Sequence, residues 1–352
     1  MTPADAPRKF SRSGRRLTRR EFARQCSNAL AGIAFLPAQA PDSNTPSPVA
    51  LAKNPDRNSA LKTVLEILGE LDFQKKTVYL KASFNSADHF PASTDLETLH
   101  GVTRYLRESK CDRLILVERS GMGTTGEVWR KLDVPGLAKR LDFTLLALED
   151  IPPNEWRREP LAGSHWSRGV EIPGFIDSSA CVVQVCNLKT HRFGGHFSAS
   201  LKNSVGLIAK QAQSGARYNF MAELHSSPDQ RAMIAEVNQL YQPSLIVMDA
   251  SRVFIDGGPE QGDIAYPEVL VASKDRVAVD AIGIALLRLH GAVGPVSKGS
   301  VFEQAQIKRA VELGLGAKSP KEIKLLTRDD ASSKVASQLS AILEKLEEPK
   351  KP

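Results

Sequence analysis

Cysteine is scarce in this chain of 352 residues: four are present, at positions 26, 111, 181 and 186. Cys26 falls in an N-terminal segment that reads as a removable signal, and the three thiols left over cannot complete a four-thiolate iron–sulfur cluster within one chain. Cys181 and Cys186 cannot bridge each other if their segment is a strand, because five steps of roughly 3.3 Å separate them by about 16 Å, against a disulfide limit of about 7 Å. Alternation also puts them on opposite faces. Buried structural thiols are expected, with a bridge from Cys111 to either one left open.

Other absences narrow the class further. No stretch approaches the ~20 apolar residues of a membrane-spanning helix, so no span is expected in the mature chain. The formal net charge is +7, yet there is no long basic stripe and no aromatic ladder interleaved with Lys and Arg, so no nucleic-acid partner is expected. Gly121 and Gly123 lack both the Walker pattern and the third glycine of a dinucleotide loop. The histidines fit no standard zinc spacing, and no internal repeat is evident.

The N-terminus explains most of the surplus charge. Thr18-Arg19-Arg20-Glu21-Phe22 carries paired arginines, followed by the mildly apolar run 28–36 and the small-residue site Ala38-Gln39-Ala40. This has the form of a twin-arginine export signal, residues 1–40, which implies the export machinery as a partner of the precursor and a periplasmic or otherwise exported mature protein. Of the 47 Lys+Arg and 40 Asp+Glu residues, eight and two lie before residue 41, and the remainder is close to neutral, at +1.

Residues 41–59 are rich in Pro, Ser and Asn and read as a linker. Residues 60–330 then alternate short apolar runs with helical patterns, and 331–352 read as a C-terminal helix and a disordered tail. Strands are expected at 77–82, 113–117, 143–148, 180–186, 244–248 and 269–272, and helices at 96–108, near 127–131, around 198–208, near 228–241 and at 276–289. This alternation predicts an α/β fold with a mainly parallel sheet and helices on both faces, as one large domain or two intimately packed lobes.

Chemistry gathers after the strand at 180–186. Asn187, Lys189, His191, His196, Lys202 and Asn203 lie within a short span beyond the carboxyl end of a buried strand, where α/β proteins collect ligands. Lys189 and Lys202 suit a small anionic ligand, and His191 suits proton transfer or metal ligation, although a histidine held by a backbone carbonyl would read the same way. The turn 118–125 reads as either a capped strand-to-helix turn or a weak phosphate cradle. Asp280 lies in an otherwise apolar helical stretch and needs a donor, a cation or a metal in the core, with Arg276 one turn away as the simplest partner. Asp275 reads as a helix N-cap, and Asp249 ends a strand.

The elements Asn187-Leu188-Lys189-Thr190-His191 and Leu201-Lys202-Asn203-Ser204-Val205-Gly206 resemble the domain-of-unknown-function 362 family, whose members carry Lys-x-His and then Lys-Asn-x-x-Gly. Val78-Tyr79-Leu80-Lys81 with Asn85, Asp249-Ala250, Gly257-Gly258-Pro259 with Gly262, and the segment from Asp275 to Asp280 are similar to its other blocks. The resemblance covers about residues 75–290 and marks positions rather than a reaction. Many relatives add a cysteine-rich ferredoxin-like module, which this chain lacks.

Two functions fit. One is an exported enzyme acting on a small anionic substrate, with Lys189, His191 and Lys202 as catalytic groups and Lys81, Asn85, Glu118, Asn187, Asn203, Gly206, Gly257 and Gly258 around the ligand. A divalent metal held by Asp249 or Asp280 would be its cofactor, if it has one. The other is a non-catalytic ligand- or cofactor-binding accessory to a redox partner. Replacing Arg19 and Arg20 together by lysine is expected to trap the precursor in the cytoplasm, read by fractionation; normal export of that variant refutes the signal.

Overall fold

The computed structural model describes residues 45–193, 196–213, 215 and 217–345. The expected signal at 1–40 and the tail beyond Lys345 lie outside them. Eight strands form one sheet: β1 (Ser47–Lys53), β2 (Thr77–Lys81), β3 (Arg113–Glu118), β4 (Thr144–Ala147), β5 (Cys181–Asn187), β6 (Pro243–Ala250), β7 (Val269–Ser273) and β8 (Ile323–Leu326). Their order across the sheet is β8-β1-β7-β6-β5-β2-β3-β4. Strands β6, β5, β2, β3 and β4 are parallel neighbours. β7 runs antiparallel to both β6 and β1, and β8 lies parallel to β1. Seven of the eight strands therefore share one direction.

The helices are α1 (Arg57–Leu68), α2 (Leu96–Glu108), α3 (Thr125–Lys131), α4 (Val134–Leu141), α5 (Ser200–Asn203), α6 (Phe220–Ser226), α7 (Gln230–Glu236), α8 (Arg276–Leu289), α9 (Ala305–Glu312) and α10 (Asp330–Glu344). Period-two alternation assigns them to the two faces of the sheet. Val183, Val185, Val247 and Leu270 meet Leu61, Leu99, Val102 and Leu137 of α1, α2 and α4 on one side. Val182, Ile246, Met248 and Val271 meet Ile282, Leu286, Ile307 and Leu339 of α8, α9 and α10 on the other. Both faces are covered, which is why β5 can be buried along its whole length. A single sheet carries both cores, so the fold is one α/β unit.

Several local signals act as the sequence implies. Asp56, Asp95, Thr124, Asp275 and Asp329 each accept a backbone N–H at the start of a helix, a cap worth about 1 kcal/mol. The 118–125 turn is a capped strand-to-helix turn. Its helix N-terminus already faces an anion of the chain's own, since Thr125 donates its N–H (2.6 Å) and hydroxyl (2.9 Å) to Glu149. Cys111, Cys181 and Cys186 are free and buried, the last two in different cores.

Two expectations are corrected. The described part of the 41–59 segment is not a linker: residues 47–53 are β1, inserted between β7 and β8, and α1 begins at Arg57. The helices expected around 198–208 and 228–241 are each a short α-helix followed by a tighter 3-10 turn, Ser204–Leu207 and Val237–Leu240.

Arg276 is fully buried at the start of α8 and does not pair with Asp280. Its guanidinium donates to the carbonyls of Asn238 and Tyr241 and stacks 4.8 Å over the Tyr241 ring. It thereby fastens α8 to the turn before β6. Arg276→Ala leaves two buried carbonyls without donors and opens a cavity, so a loss of at least about 3 kcal/mol is expected in urea unfolding. A loss below about 1 kcal/mol would show that this tie is not structural.

Candidate functional site

β2 and β3 end side by side, placing Lys81 and Glu118 together at the carboxyl edge of the sheet. Both are buried. Lys81 Nζ lies 2.8 Å from Glu118 Oε1 and 2.9 Å from Oε2, and it also donates to Asn203 Oδ1 (3.2 Å) and to the carbonyl of Ala82. Glu118 accepts further N–H bonds from Phe84 (2.9 Å) and Arg119 (3.0 Å). Burial pulls Lys81 below and pushes Glu118 above their ordinary pKa values, and their mutual attraction opposes both shifts.

The Lys-Asn-x-x-Gly element packs onto this pair. The Asn203 amide donates to the Lys81 carbonyl (3.0 Å) while its oxygen accepts from Lys81 Nζ. A Cβ on Gly206 would lie 2.7 Å from Glu118 Oε1 and 2.8 Å from Lys81 Nζ. Four of the expected ligand-binding residues are thus the floor of the site: Lys81 binds Glu118 and Asn203, and Gly206 packs against the pair.

Above that floor stand basic groups without counter-charges among the described residues. After β5 the chain forms a small hairpin in which Lys189–His191 pairs with His196–Ser198. Lys189 and His191, two apart on a strand, share a face. Lys189 Nζ is buried and donates to the carbonyls of Pro91 (3.0 Å) and Ala92 (2.6 Å). Asn187 braces the same segment, donating to Pro91 O (3.2 Å) and accepting from Thr94 Oγ1 (3.3 Å). Burial lowers the Lys189 pKa to about 7. Lys202, on α5, is pushed well below its ordinary value by burial and then by Lys189. His191 falls to about 2, through burial first and then Lys202 and Lys189, and its Nδ1 is buried without a hydrogen-bond partner among the described residues.

The two aspartates considered for a metal are held by protein donors. Asp249 accepts from Arg57 Nε (2.9 Å), Thr98 Oγ1 (2.5 Å) and the N–H and hydroxyl of Ser251 (2.9 and 2.7 Å). Asp280 is a cap in trans: from inside α8 it accepts the first N–H groups of α5, Ser200 (2.7 Å) and Leu201 (3.3 Å), together with Gln306 (3.3 Å). Among the described residues no three His, Cys, Asp or Glu side chains are grouped to hold a metal ion. Asp249 shares the carboxyl edge with Glu118 and Lys189 but lies outside the cleft lining. Gly257 and Gly258 also stand apart from it, and only their neighbour Pro259 reaches the wall. Gly258 has no room for a side chain, since a Cβ there would lie 2.0 Å from the Thr190 carbonyl oxygen, which sets the turn against the hairpin.

The cleft enclosed by these elements has a volume of about 380 Å³, the size of a small-molecule site. Asn85 stands at its mouth, exposed, and accepts from the Gly121 N–H (3.1 Å). Among the described residues, Lys81, Arg119, Lys189, Lys202 and Lys210 line the cleft with a single carboxylate, Glu118. Arg119, Lys210 and His225 were not anticipated from sequence. Arg119 had a signal, its place just past β3, whereas Lys210 and His225 arrive through loop and helix placement that no motif marks. A larger open groove of about 1260 Å³ lies near the amino end of β2, between α1, α2 and residues 69–74. It is lined by charges of both signs and contains none of these groups.

The arrangement defines an α/β protein with a cation-rich cleft at the carboxyl edge of parallel strands. The chain belongs to the family described as domain of unknown function (DUF362), whose model matches residues 78–285, a span that holds the entire cleft lining. Comparison with curated proteins gives no match.

Gly206→Ala is expected to displace the floor, because the new methyl meets the side-chain ends of both members of a buried pair. Removing one partner of such a pair costs about 3–5 kcal/mol, an upper bound for this displacement, and a thermal melt would register the loss as a fall in midpoint. A melt unchanged from wild type would mean that the Lys81–Glu118 floor is not held as described.

Proposed function

We propose that this protein binds a small anionic substrate in the 380 Å³ cleft and acts on it as an enzyme, with Lys202 and Lys189 holding the anion and Lys189 or His191 exchanging protons. One observation carries this reading: Lys189, Lys202 and His191 converge on the cleft, while the only carboxylate lining it among the described residues is already bound to Lys81. Basic groups buried without an opposing charge shed protons, and an anion entering among them restores the charged forms and is held by them. Asn85 at the mouth and Arg119 in the wall supply further donors. Arg119 itself is fixed by the carbonyls of Ile208 and Val205, each at 2.8 Å.

The paired arginines at 19 and 20 support delivery of this enzyme across the cytoplasmic membrane, a proposal resting on sequence alone. Its metal-assisted form would have Asp249 or Asp280 exchange their present donors for a divalent cation. Elemental analysis with native mass spectrometry of the purified protein tests that form.

Binding should be linked to proton uptake. An anion raises the Lys189 pKa from about 7. Affinity is then fullest below pH 7 and falls as pH rises from there through the pKa of the bound state. Lys202→Ala is expected to weaken binding of inorganic phosphate or a small carboxylate by about tenfold or more and to reduce its salt sensitivity, with the fold retained. Calorimetric titration at several pH values measures both. Unchanged affinity together with a lowered melting temperature would show the cluster to be structural and would overturn the proposal.

A further inference from the structure

Lys189 is held by neutral acceptors rather than by a carboxylate among the described residues. A neutral amine has two N–H bonds, and the carbonyls of Pro91 and Ala92 accept two from Lys189 Nζ. They orient the nitrogen and leave one tetrahedral position, which holds a proton in the ammonium and the lone pair in the free amine, on a residue that lines the cleft. Lys202 has no such orienting partner among the described residues. We propose that Lys189 condenses with the carbonyl carbon of a small aldehyde or ketone that also carries a carboxylate or phosphate, the anionic group resting near Lys202. The inference builds on the anion-binding reading above and names its substrate class.

The step balances without an oxidant or reductant. The nitrogen lone pair attacks the carbonyl carbon, and the carbonyl π pair moves to oxygen. The two amine hydrogens leave with that oxygen as water, giving an imine. Burial supplies the reactive form, since a pKa of about 7 leaves a large share of Lys189 as free amine at neutral pH, where an exposed lysine is almost wholly protonated.

The test uses the full chain with glyoxylate as probe, sodium cyanoborohydride to reduce any imine to a stable amine, and peptide mass mapping to locate it. Lys189 is expected to be labelled at least about tenfold faster than the exposed Lys62, with its half-rise at a lower pH than that of Lys62. Glycolaldehyde, which is neutral, should label Lys189 more slowly than glyoxylate, and Lys202→Ala should erase that preference. Lys189→Arg should abolish the label. If that variant does not fold, the wild-type map and the Lys202→Ala comparison still decide. Labelling of Lys189 no faster than Lys62, or labelling centred on Lys202, overturns the inference. Thermal protection by glyoxylate without a Lys189 label removes the imine and leaves the anion site. Equal labelling by both aldehydes without thermal protection leaves the nucleophile and removes the anion site.

Discussion

The buried contact between Lys81 and Glu118 is the constraint around which the carboxyl edge is organised. Two opposite charges at the ends of adjacent parallel strands persist out of water only when their remaining hydrogen-bonding capacity is met. Here the backbone of Phe84 and Arg119, the Ala82 carbonyl and the Asn203 amide meet it. That requirement fixes where the 200–207 segment runs, since Asn203 must reach Lys81 and Gly206 must pass without a side chain. With the segment fixed, Lys202 is delivered to the cleft. Asp280 secures the other end of the same segment by capping α5.

The cleft contains two kinds of lysine, and the contrast between them is electrostatic. Lys81 has its counter-charge within the protein and serves the fold. Lys189 and Lys202 have none among the described residues, and burial shifts both toward neutrality. A stabilising role would be served as well by an apolar side chain of similar length, which would avoid the cost of desolvating an amine. The proposed anion site accounts for their basic form, since the missing half of each interaction would arrive with the guest.

Much of the sheet was legible because β2, β3, β5, β6 and β7 are dense in Val, Ile and Leu and are buried on both faces. β1 was not: Pro48 and the alternation of Ala with Val and Leu sit beside a Pro/Ser/Asn-rich stretch, and its strand character comes from β7 and β8 on either side. The four-residue edge strand β8 carries too short a pattern to stand out. In the site, the basic cluster after β5 could be read from residue type and position. Its sorting into floor and wall could not, since Lys81 finds Glu118 and Asn203 across 37 and 122 residues. The burial of Asp280 was legible from its apolar neighbours. Its nearest partner is a backbone N–H of another helix, that of Ser200 at 2.7 Å, which side-chain identities do not announce.

The reversal of β7 also determines how the cleft can vary. Between two parallel strands the chain must return across a face of the sheet, so the connection is part of the core. From β6 to β7 it turns at the carboxyl edge and descends directly, with Ala250 paired to Val269. Residues 251–268 are therefore a rim with both ends anchored in adjacent strands, and they carry the turn that brings Pro259 to the cleft wall. Lengthening a loop closed in this way costs little free energy, roughly 0.6 kcal/mol per doubling. The opening of the cleft can thus be reshaped from this side while the sheet, the Lys81–Glu118 floor and the basic wall stay in place.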